Sequence, residues 1–294
     1  MKIAAAAYPF DWFDSFDAYA AKITKWVTEA AANDTELLVF PEYGAMELAS
    51  LGGRGVAADI HKALEEVARH SAAVDALHMQ LAARHKLHIL GASGPAFVEG
   101  KPVNRAVFYG PSGILGHQDK QIMTRFERET WDVVPGPGLT VFDTPLGKIG
   151  IVICYDSEFP LLARAMVEAG AEILLAPSCT DSLAGYWRVR IGSMARALEN
   201  QCVVVHAPTV GLCDFCPAVD ENIGAAGIYG PPDRGFPPTG VLGQTEMNVP
   251  GWAYADVSRD QIAEVRRDGG VLNTTHWAEQ PDRISAPVTL RKSD

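Results

Sequence analysis

The chain has 294 residues, of which 48% are hydrophobic and 21% are charged, so it has the composition of a protein with a large core and not that of a disordered chain. The formal net charge is −11, and no run rich in lysine and arginine occurs. This balance argues against nucleic acid or an anionic membrane surface as the main partner. No stretch approaches the roughly 20 apolar residues of a membrane span.

The first residues, MKIAAAAYPFDWF, contain one lysine and only a short apolar run. A signal peptide needs a longer apolar centre and a small-residue cleavage site, so we predict a cytoplasmic location. The five cysteines would then stay reduced. Cys213 and Cys216 form a CxxC pair in a stretch typical of a loop, but a zinc site needs two further ligands. We therefore predict no metal and no cofactor.

Apolar runs of strand length alternate with helical stretches along the chain. The predicted strands are 3–8, 36–43, 87–93, 105–111, 113–120, 147–154, 171–178, 202–208 and 251–258, and the predicted helices are 16–34, 58–86, 159–170 and 186–201. Helices between buried strands indicate an α/β fold, in which helices cover the sheets. We predict one domain over residues 1–272 and an extended C-terminal arm over 273–294.

Three predicted strands end in reactive or ionisable side chains. Glu42 follows LLVFP, Lys120 follows GHQD, and Cys154 ends GIVIC. Ligand sites of α/β sheets form beyond the carboxyl ends of strands, so one crevice can hold all three. A thiol nucleophile, a carboxylate that moves its proton and a cation for the oxyanion are what acyl transfer from an amide requires.

Each of these residues has an ordinary explanation when it is considered alone. A glutamate or lysine at a strand end is usually a solvated charge, and a cysteine in an apolar strand is usually an inert core residue. Spacing along the chain does not establish that the three side chains meet. The functional prediction therefore depends on their convergence.

Four short motifs add a family resemblance. FPEY (40–43), QDK (118–120), ICYDSEFP (153–160) and MARALENQ (194–201) occur in the order typical of the nitrilase superfamily of carbon–nitrogen hydrolases, which the chain resembles from about residue 3 to 258. The resemblance implies a four-layer α-β-β-α sandwich and a catalytic set of Glu42, Lys120 and Cys154. It also implies a small-molecule amide as substrate and a homo-oligomer, commonly built on dimers.

The resembling family places a second glutamate after the lysine, ahead of a Pro-Gly turn. The segment 120–136 offers both Glu127 and Glu129 for this position. We favour Glu129, because its distance to Pro135 fits the motif better, and expect it to position Lys120 and the substrate amine. A surface ion pair with Arg125 is the alternative explanation.

Further residues are expected to shape the site. The backbone N–H of Tyr155 is expected to bind the oxyanion, and Thr180, Asp181 and Trp187, which follow a strand on the same sheet edge, are expected to line the substrate pocket. Asp156 is expected to hydrogen-bond nearby backbone. Nitrilases usually have Cys-Trp-Glu at the nucleophile. This chain has Cys154-Tyr155-Asp156 instead, and by this resemblance we expect its substrate to be an amide and not a nitrile.

Other patterns carry less weight. Arg196 and Glu199 lie one helical turn apart and are expected to form a supporting ion pair. A Cys154–His206 dyad would imitate a cysteine protease, but the local signatures of those enzymes are absent. No dinucleotide-binding or P-loop glycine motif occurs in the expected context.

The sequence thus predicts an amidase that forms a thioester intermediate on Cys154 and releases a carboxylic acid and ammonia or an amine. A nitrilase or an N-acyl transferase using the same site is the first alternative. A binding protein without catalytic activity is the second. The sequence does not identify the particular amide.

Overall fold

The structure is a computed structural model, which describes residues 1–293. Its strands are β1 (Lys2–Pro9), β2 (Leu37–Val39), β3 (His88–Leu90), β4 (Gly94–Val98), β5 (Lys101–Gly110), β6 (Gly113–Asp119), β7 (Val141–Thr144), β8 (Gly147–Ile151), β9 (Ile173–Ser178), β10 (Val203–Leu212), β11 (Glu221–Asn222), β12 (Gly227–Tyr229), β13 (Val241–Gln244) and β14 (Gly251–Asp256). Its helices are α1 (Phe16–Ala31), α2 (Arg54–Ala57), α3 (Ile60–Arg69), α4 (Ser71–His85), α5 (Arg125–Glu129), α6 (Pro160–Glu168), α7 (Leu183–Asn200), α8 (Arg259–Asp268), α9 (Asn273–His276) and α10 (Gln280–Ile284). Short 3₁₀ helices cover Gly44–Gly52, Cys154–Glu158 and Trp277–Glu279.

The strands form two sheets that meet at one seam. The order across both is β4-β5-β3-β2-β1-β10-β9-β8-β7, with β6 on β5, β14 on β1, and β12 and β13 beyond β10. The seam is short, because β1 pairs with β10 only through Tyr8–Thr209 and Pro9–Val210. Most of β1 pairs instead with β2 and β14.

Side-chain alternation along β1 shows how the layers arise. Ile3, Ala5 and Ala7 face a core shared by the two sheets, whereas Ala4 and Ala6 face a second core on the opposite side. Successive side chains of a strand point to opposite faces, so a strand that is apolar at every position is buried on both. The apolar run at the start of the sequence is continuous because β1 is buried on both faces.

Three hydrophobic cores therefore separate four layers. The outer face of the first sheet packs against α1, α3 and α4, through residues such as Ile23, Leu64 and Leu81. The outer face of the second sheet packs against α6 and α7, through residues such as Met166 and Ala197. The predicted α/β fold and its α-β-β-α layering are confirmed.

Strand direction places the carboxyl ends of several strands at one edge. β1, β2, β8, β9 and β10 run parallel to their neighbours in this group. β6 has the same direction, because it is antiparallel to β5, and β5 is antiparallel to β3, which is parallel to β2. The segments that follow β2, β6, β8 and β9 consequently meet at a common edge.

Two predicted elements differ from the structure. The helix predicted over 58–86 is two helices, α3 and α4, that meet at His70, whose imidazole lies 3.0 Å from Glu66. The arm predicted to be extended contains α9, a 3₁₀ turn and α10, so that prediction was wrong for 273–284. Arg164 of α6 holds this segment by stacking on Trp277 and donating to the carbonyl of Thr274. Residues 285–293 are exposed and have no regular secondary structure, and residue 294 lies outside the described residues.

Within residues 1–293, no helix has both the length and the apolar character that crossing a membrane would require.

Candidate active site

The predicted carboxylate and cation lie in direct contact at the common sheet edge. The Nζ of Lys120, one residue beyond β6, donates to Oε1 of Glu42, three residues beyond β2, at 2.7 Å. Both side chains are almost fully buried. The two residues are 78 positions apart in the sequence, and the parallel direction of β2 and β6 brings them together.

The second glutamate beside Lys120 is Glu127, and the preference for Glu129 was wrong. Oε2 of Glu127 accepts from Lys120 Nζ at 2.7 Å, whereas Glu129 is exposed and pairs with Arg125. Thr124 explains the difference, because it caps α5 and its backbone N–H and hydroxyl both donate to Glu127 Oε2 at 2.8 Å. This capping box turns Glu127 inward and leaves Glu129 on the solvent side of the helix.

Glu42 is held by more than the lysine. Its Oε1 also accepts from Nδ2 of Asn104 at 2.9 Å, and its Oε2 accepts from the backbone N–H of Cys179 at 2.9 Å. Three donors thus fix the plane of this buried carboxylate. Neither Asn104 nor Cys179 was predicted from the sequence.

Cys154 opens the 3₁₀ helix that follows β8 and has a φ of 49°. This left-handed conformation is uncommon outside glycine and costs backbone strain, which the surrounding structure must hold in place. The turn is closed by the hydroxyl of Ser157, which donates to the Cys154 carbonyl at 2.6 Å. The Cys154 thiol lies 3.9 Å from the carbonyl oxygen of Cys179, the residue whose backbone N–H donates to Glu42.

The electrostatics favour a neutral thiol beside a proton acceptor. Burial and the charge of Glu42 raise the pKa of the Cys154 thiol well above its ordinary value. Burial also raises the pKa of Glu42, although Lys120 opposes this shift. Burial would lower the pKa of Lys120, but the carboxylates of Glu127 and Glu42 raise it well above its ordinary value, so the ammonium stays charged. Lys120 in turn lowers the pKa of Glu127 against the effect of burial.

Asp156 connects the cysteine turn to the lysine segment. Its carboxylate accepts from the backbone N–H of Ile122 at 2.8 Å and from that of Gln121 at 3.1 and 3.2 Å. These donors directly follow Lys120 in the chain. Asp156 therefore bonds backbone, as predicted, and it links the two segments that carry the thiol and the ammonium.

The titration of Asp156 gives a stability prediction. Burial raises the pKa of Asp156 to about 7, although the N–H of Gln121 and the charge of Lys120 oppose it. In an unfolded chain an aspartate titrates near a pH of about 3.9. Its contribution to stability is thus complete below about pH 4 and is lost as the pH rises through about 7. The free energy of unfolding of the wild type, minus that of Asp156→Asn, should fall across this window in urea titrations. Equal pH slopes for the two proteins would contradict this.

The buried cluster opens into a cavity of about 680 Å³. Its wall includes the predicted pocket residues Tyr155, Thr180 and Asp181. Trp187 does not line it, and this prediction was wrong. α7 begins at Leu183, so Trp187 lies on that helix, where it is 45% exposed and contacts Tyr186 and Arg190.

The remaining wall comes from several loops and helices. These lining residues are Tyr43, Thr124, Arg125, Phe126, Trp131, Glu158, Cys179, Gly185, Arg188, Val189, Pro217, Ala218, Asp220 and Glu221. Glu158 and Arg188 of this wall lie 3.6 Å apart, and the Arg188 side chain is 61% exposed. The wall thus carries charges of both signs and is partly aromatic.

Other residues singled out in the sequence lie outside this site. Arg196 forms the expected ion pair with Glu199 at 3.0 Å and also donates to the carbonyl of Ser157. His206 is fully buried and pairs with Ser178 at 2.7 Å. Cys213 and Cys216 are buried, free thiols. Among residues 1–293, no group of three or more His, Cys, Asp and Glu side chains is placed to hold a metal ion.

A layered α/β sandwich holds a buried Glu-Lys-Glu cluster and a strand-end cysteine at one cavity, and comparison with known proteins identifies the class of this protein. The family model described as carbon-nitrogen hydrolase matches residues 2–232. The chain therefore belongs to the carbon-nitrogen hydrolase family, in the nitrilase superfamily, as the motifs predicted.

Individual relatives show how far the similarity extends. The chain is 33% identical over 272 residues to the probable hydrolase YhcX of Bacillus subtilis, which covers 92% of this chain and 52% of that protein. The chain thus spans about half the length of that relative. Among solved structures, Nit3 of Saccharomyces cerevisiae, a member of branch 10 of the nitrilase superfamily, has a TM-score of 0.72 at 21% identity, with coverage of 91% and 93%. An amidase from Nesterenkonia sp. has a TM-score of 0.69 at 21% identity, with coverage of 91% and 95%.

Proposed function

We propose that this protein is an amidase that hydrolyses the C–N bond of a small linear amide through a thioester on Cys154. The observation that carries the proposal is the convergence of three groups on one cavity: the Glu42 carboxylate contacts the Lys120 ammonium, and Glu42 and the Cys154 thiol both contact the backbone of Cys179. This cluster lies in a cavity that is large enough for a small molecule.

In the first half-reaction, Glu42 takes the thiol proton while the Cys154 sulfur attacks the amide carbon. The carbonyl electron pair moves onto oxygen, and the C–N bond then breaks as Glu42 returns the proton to the departing nitrogen. Ammonia or an amine leaves, and an acyl thioester remains on Cys154. A neutral thiol needs such a base, because the thiolate is the nucleophilic form.

In the second half-reaction, a water molecule attacks the thioester carbon and gives a proton to Glu42. The C–S bond breaks, the carboxylic acid leaves, and Glu42 returns the proton to the sulfur. The enzyme is then restored, and the sum of both steps is an amide plus water giving an acid plus ammonia or an amine. Only this chain's own groups move protons in the scheme.

The oxyanion of each tetrahedral intermediate needs donors that are in place before the reaction. An ammonium has three N–H groups. Two of those on Lys120 go to Glu42 and Glu127, which leaves the third for the oxyanion. The backbone N–H of Tyr155, on the cavity wall and next to the nucleophile, is the second donor in our proposal.

The test is a product screen combined with trapping of the intermediate. The purified protein is assayed for ammonia release from ω-amides, aliphatic amides, N-carbamoyl compounds and nitriles, and acid-quenched samples are analysed by peptide mass spectrometry. We expect release from at least one amide class and an acyl mass on the Cys154 peptide. Faster turnover of nitriles than of every amide would favour a nitrilase, and an acyl group on another residue would contradict the mechanism. The cytoplasmic location and the homo-oligomer stay predictions.

A further inference from the structure

Asn104 is a buried polar residue that contacts the candidate base from behind the cavity. It lies on β5, is fully buried and does not line the cavity. Its Nδ2 donates to Oε1 of Glu42 at 2.9 Å, and its Oδ1 accepts from the hydroxyl of Ser93 at 2.6 Å. A substrate in the cavity therefore meets Glu42 but not Asn104.

A backbone group fixes which end of the Asn104 amide faces Glu42. The N–H of Tyr43 donates to Oγ of Ser93 at 3.0 Å. Because a backbone N–H is only a donor, Ser93 accepts there and directs its own hydrogen at Asn104. The carbonyl end of the Asn104 amide must face Ser93, and its NH₂ end must face Glu42. The direction of this chain of hydrogen bonds follows from the Tyr43 peptide group.

The chain of hydrogen bonds makes the two oxygens of Glu42 unequal. Oε1 accepts from both Asn104 and Lys120, so its lone pairs are used. Oε2 accepts only the backbone N–H of Cys179, which leaves one lone pair for a proton. A carboxylate turned out of this plane would lose these donors and move its free lone pair away from the position that Oε2 occupies.

We infer that Asn104 and Ser93 are positioning residues for catalysis, which orient the Glu42 carboxylate so that Oε2 alone exchanges the proton of Cys154. The inference rests on the proposed function, because it assigns a role within the thioester mechanism. Neither residue touches substrate or a reacting atom. Each acts through Glu42, and Ser93 acts through Asn104.

The charge environment of Glu42 determines what the loss of Asn104 does. The titratable or charged groups that face Glu42 are Lys120, Glu127, Tyr43, Cys154, Cys179 and Asp156. Lys120 is the cation among them. An N–H donor stabilises the ionised carboxylate, so removing the donor of Asn104 raises the pKa of Glu42 further. The acid limb of the rate profile reports this group.

The test compares Asn104→Asp, Asn104→Leu and Ser93→Ala in steady-state kinetics from about pH 4 to 9. Asn104→Asp keeps the size of the side chain and the acceptor for Ser93, but it replaces the amide donor to Glu42 with an ionisable oxygen, so the lost donor and the like charge both raise the pKa of Glu42. We expect kcat to fall by about 10- to 100-fold in both Asn104 variants. KM should change less than about twofold, and the acid limb should move to higher pH. Ser93→Ala should also lower kcat and move the acid limb to higher pH, but by smaller amounts. This variant tests the inference even if Asn104→Leu does not fold.

Asn200→Leu is the matched control, because Asn200 is also fully buried and bonds the Arg196 carbonyl of α7 outside the site. It should lower the unfolding midpoint and leave the pH profile unchanged. An unshifted acid limb in folded Asn104→Asp or Ser93→Ala would overturn the inference. If Cys154→Ala keeps the wild-type rate, the proposed function itself fails, so the two failures are distinguishable.

Discussion

Replacing Cys154 with alanine should abolish amide hydrolysis while the protein remains folded. The thioester mechanism has no substitute for the sulfur, because the other cysteine of the cavity wall, Cys179, donates its thiol to Asn222, and burial and Glu42 raise the pKa of that thiol. Loss of a nucleophile that acts in concert with its base costs on the order of 10⁴-fold or more in kcat. The measurement is turnover of the best amide from the product screen, followed over hours at high protein concentration.

A second buried cysteine provides the control for this substitution. Cys202 is fully buried in the core between the second sheet and its helices, away from the cavity. Cys154→Ala and Cys202→Ala should each change the free energy of unfolding by about 1 kcal/mol, as removal of one buried sulfur does. Only the first should lose activity. Wild-type hydrolysis by Cys154→Ala would contradict the proposed mechanism.

The layered fold and the positions of Glu42 and Lys120 after strand ends were accessible from the sequence. Buried parallel strands have continuous apolar runs, and the residues that follow such strands gather at one edge of the sheet. A strand-end position is a local property that hydrophobic patterning reveals. The contact between two strand ends is then a consequence of strand direction.

The sequence contained a signal that the second glutamate is Glu127 and not Glu129, but the spacing of the family motif led to the wrong choice. Thr124-Arg-Phe-Glu127 is a capping-box sequence, in which the fourth residue folds back on the first. A spacing to the Pro-Gly turn says nothing about which side chain faces inward. The capping interaction between Thr124 and Glu127 at the start of α5 determines that Glu127 faces inward.

The roles of Asn104 and Cys179 were not accessible in the same way. Asn104 meets Glu42 across 62 positions of sequence, and the group that Cys179 contributes is a backbone N–H, which every residue type except proline carries. No residue pattern marks either contact. Trp187 failed for a different reason. It lies within the helix predicted over 186–201, but position after a strand does not show which face of the helix meets the cavity, and its side chain is 45% exposed and contacts Tyr186 and Arg190.

The contact between Glu127 and Lys120 leads to the prediction with the second-largest expected loss of activity. Glu127→Gln should lower kcat by about 10²- to 10³-fold, because it removes one of two carboxylates that hold the Lys120 ammonium in place for the oxyanion. It should also lower the free energy of unfolding by about 2–3 kcal/mol, since Thr124 and Tyr43 donate to the same buried carboxylate. Kinetics and urea unfolding measure the two effects on one preparation.

Glu129→Gln is the matched control, because it makes the same chemical change two residues away. Its side chain is 59% exposed and its ion pair with Arg125 is on the surface, so the free energy of unfolding should change by less than about 0.5 kcal/mol and kcat by less than about twofold. If Glu129→Gln lost activity and Glu127→Gln kept it, the lysine would be positioned by a different contact during turnover from the one in this structure. The expected order follows from burial, since a charge held away from water has no solvent to replace a missing partner.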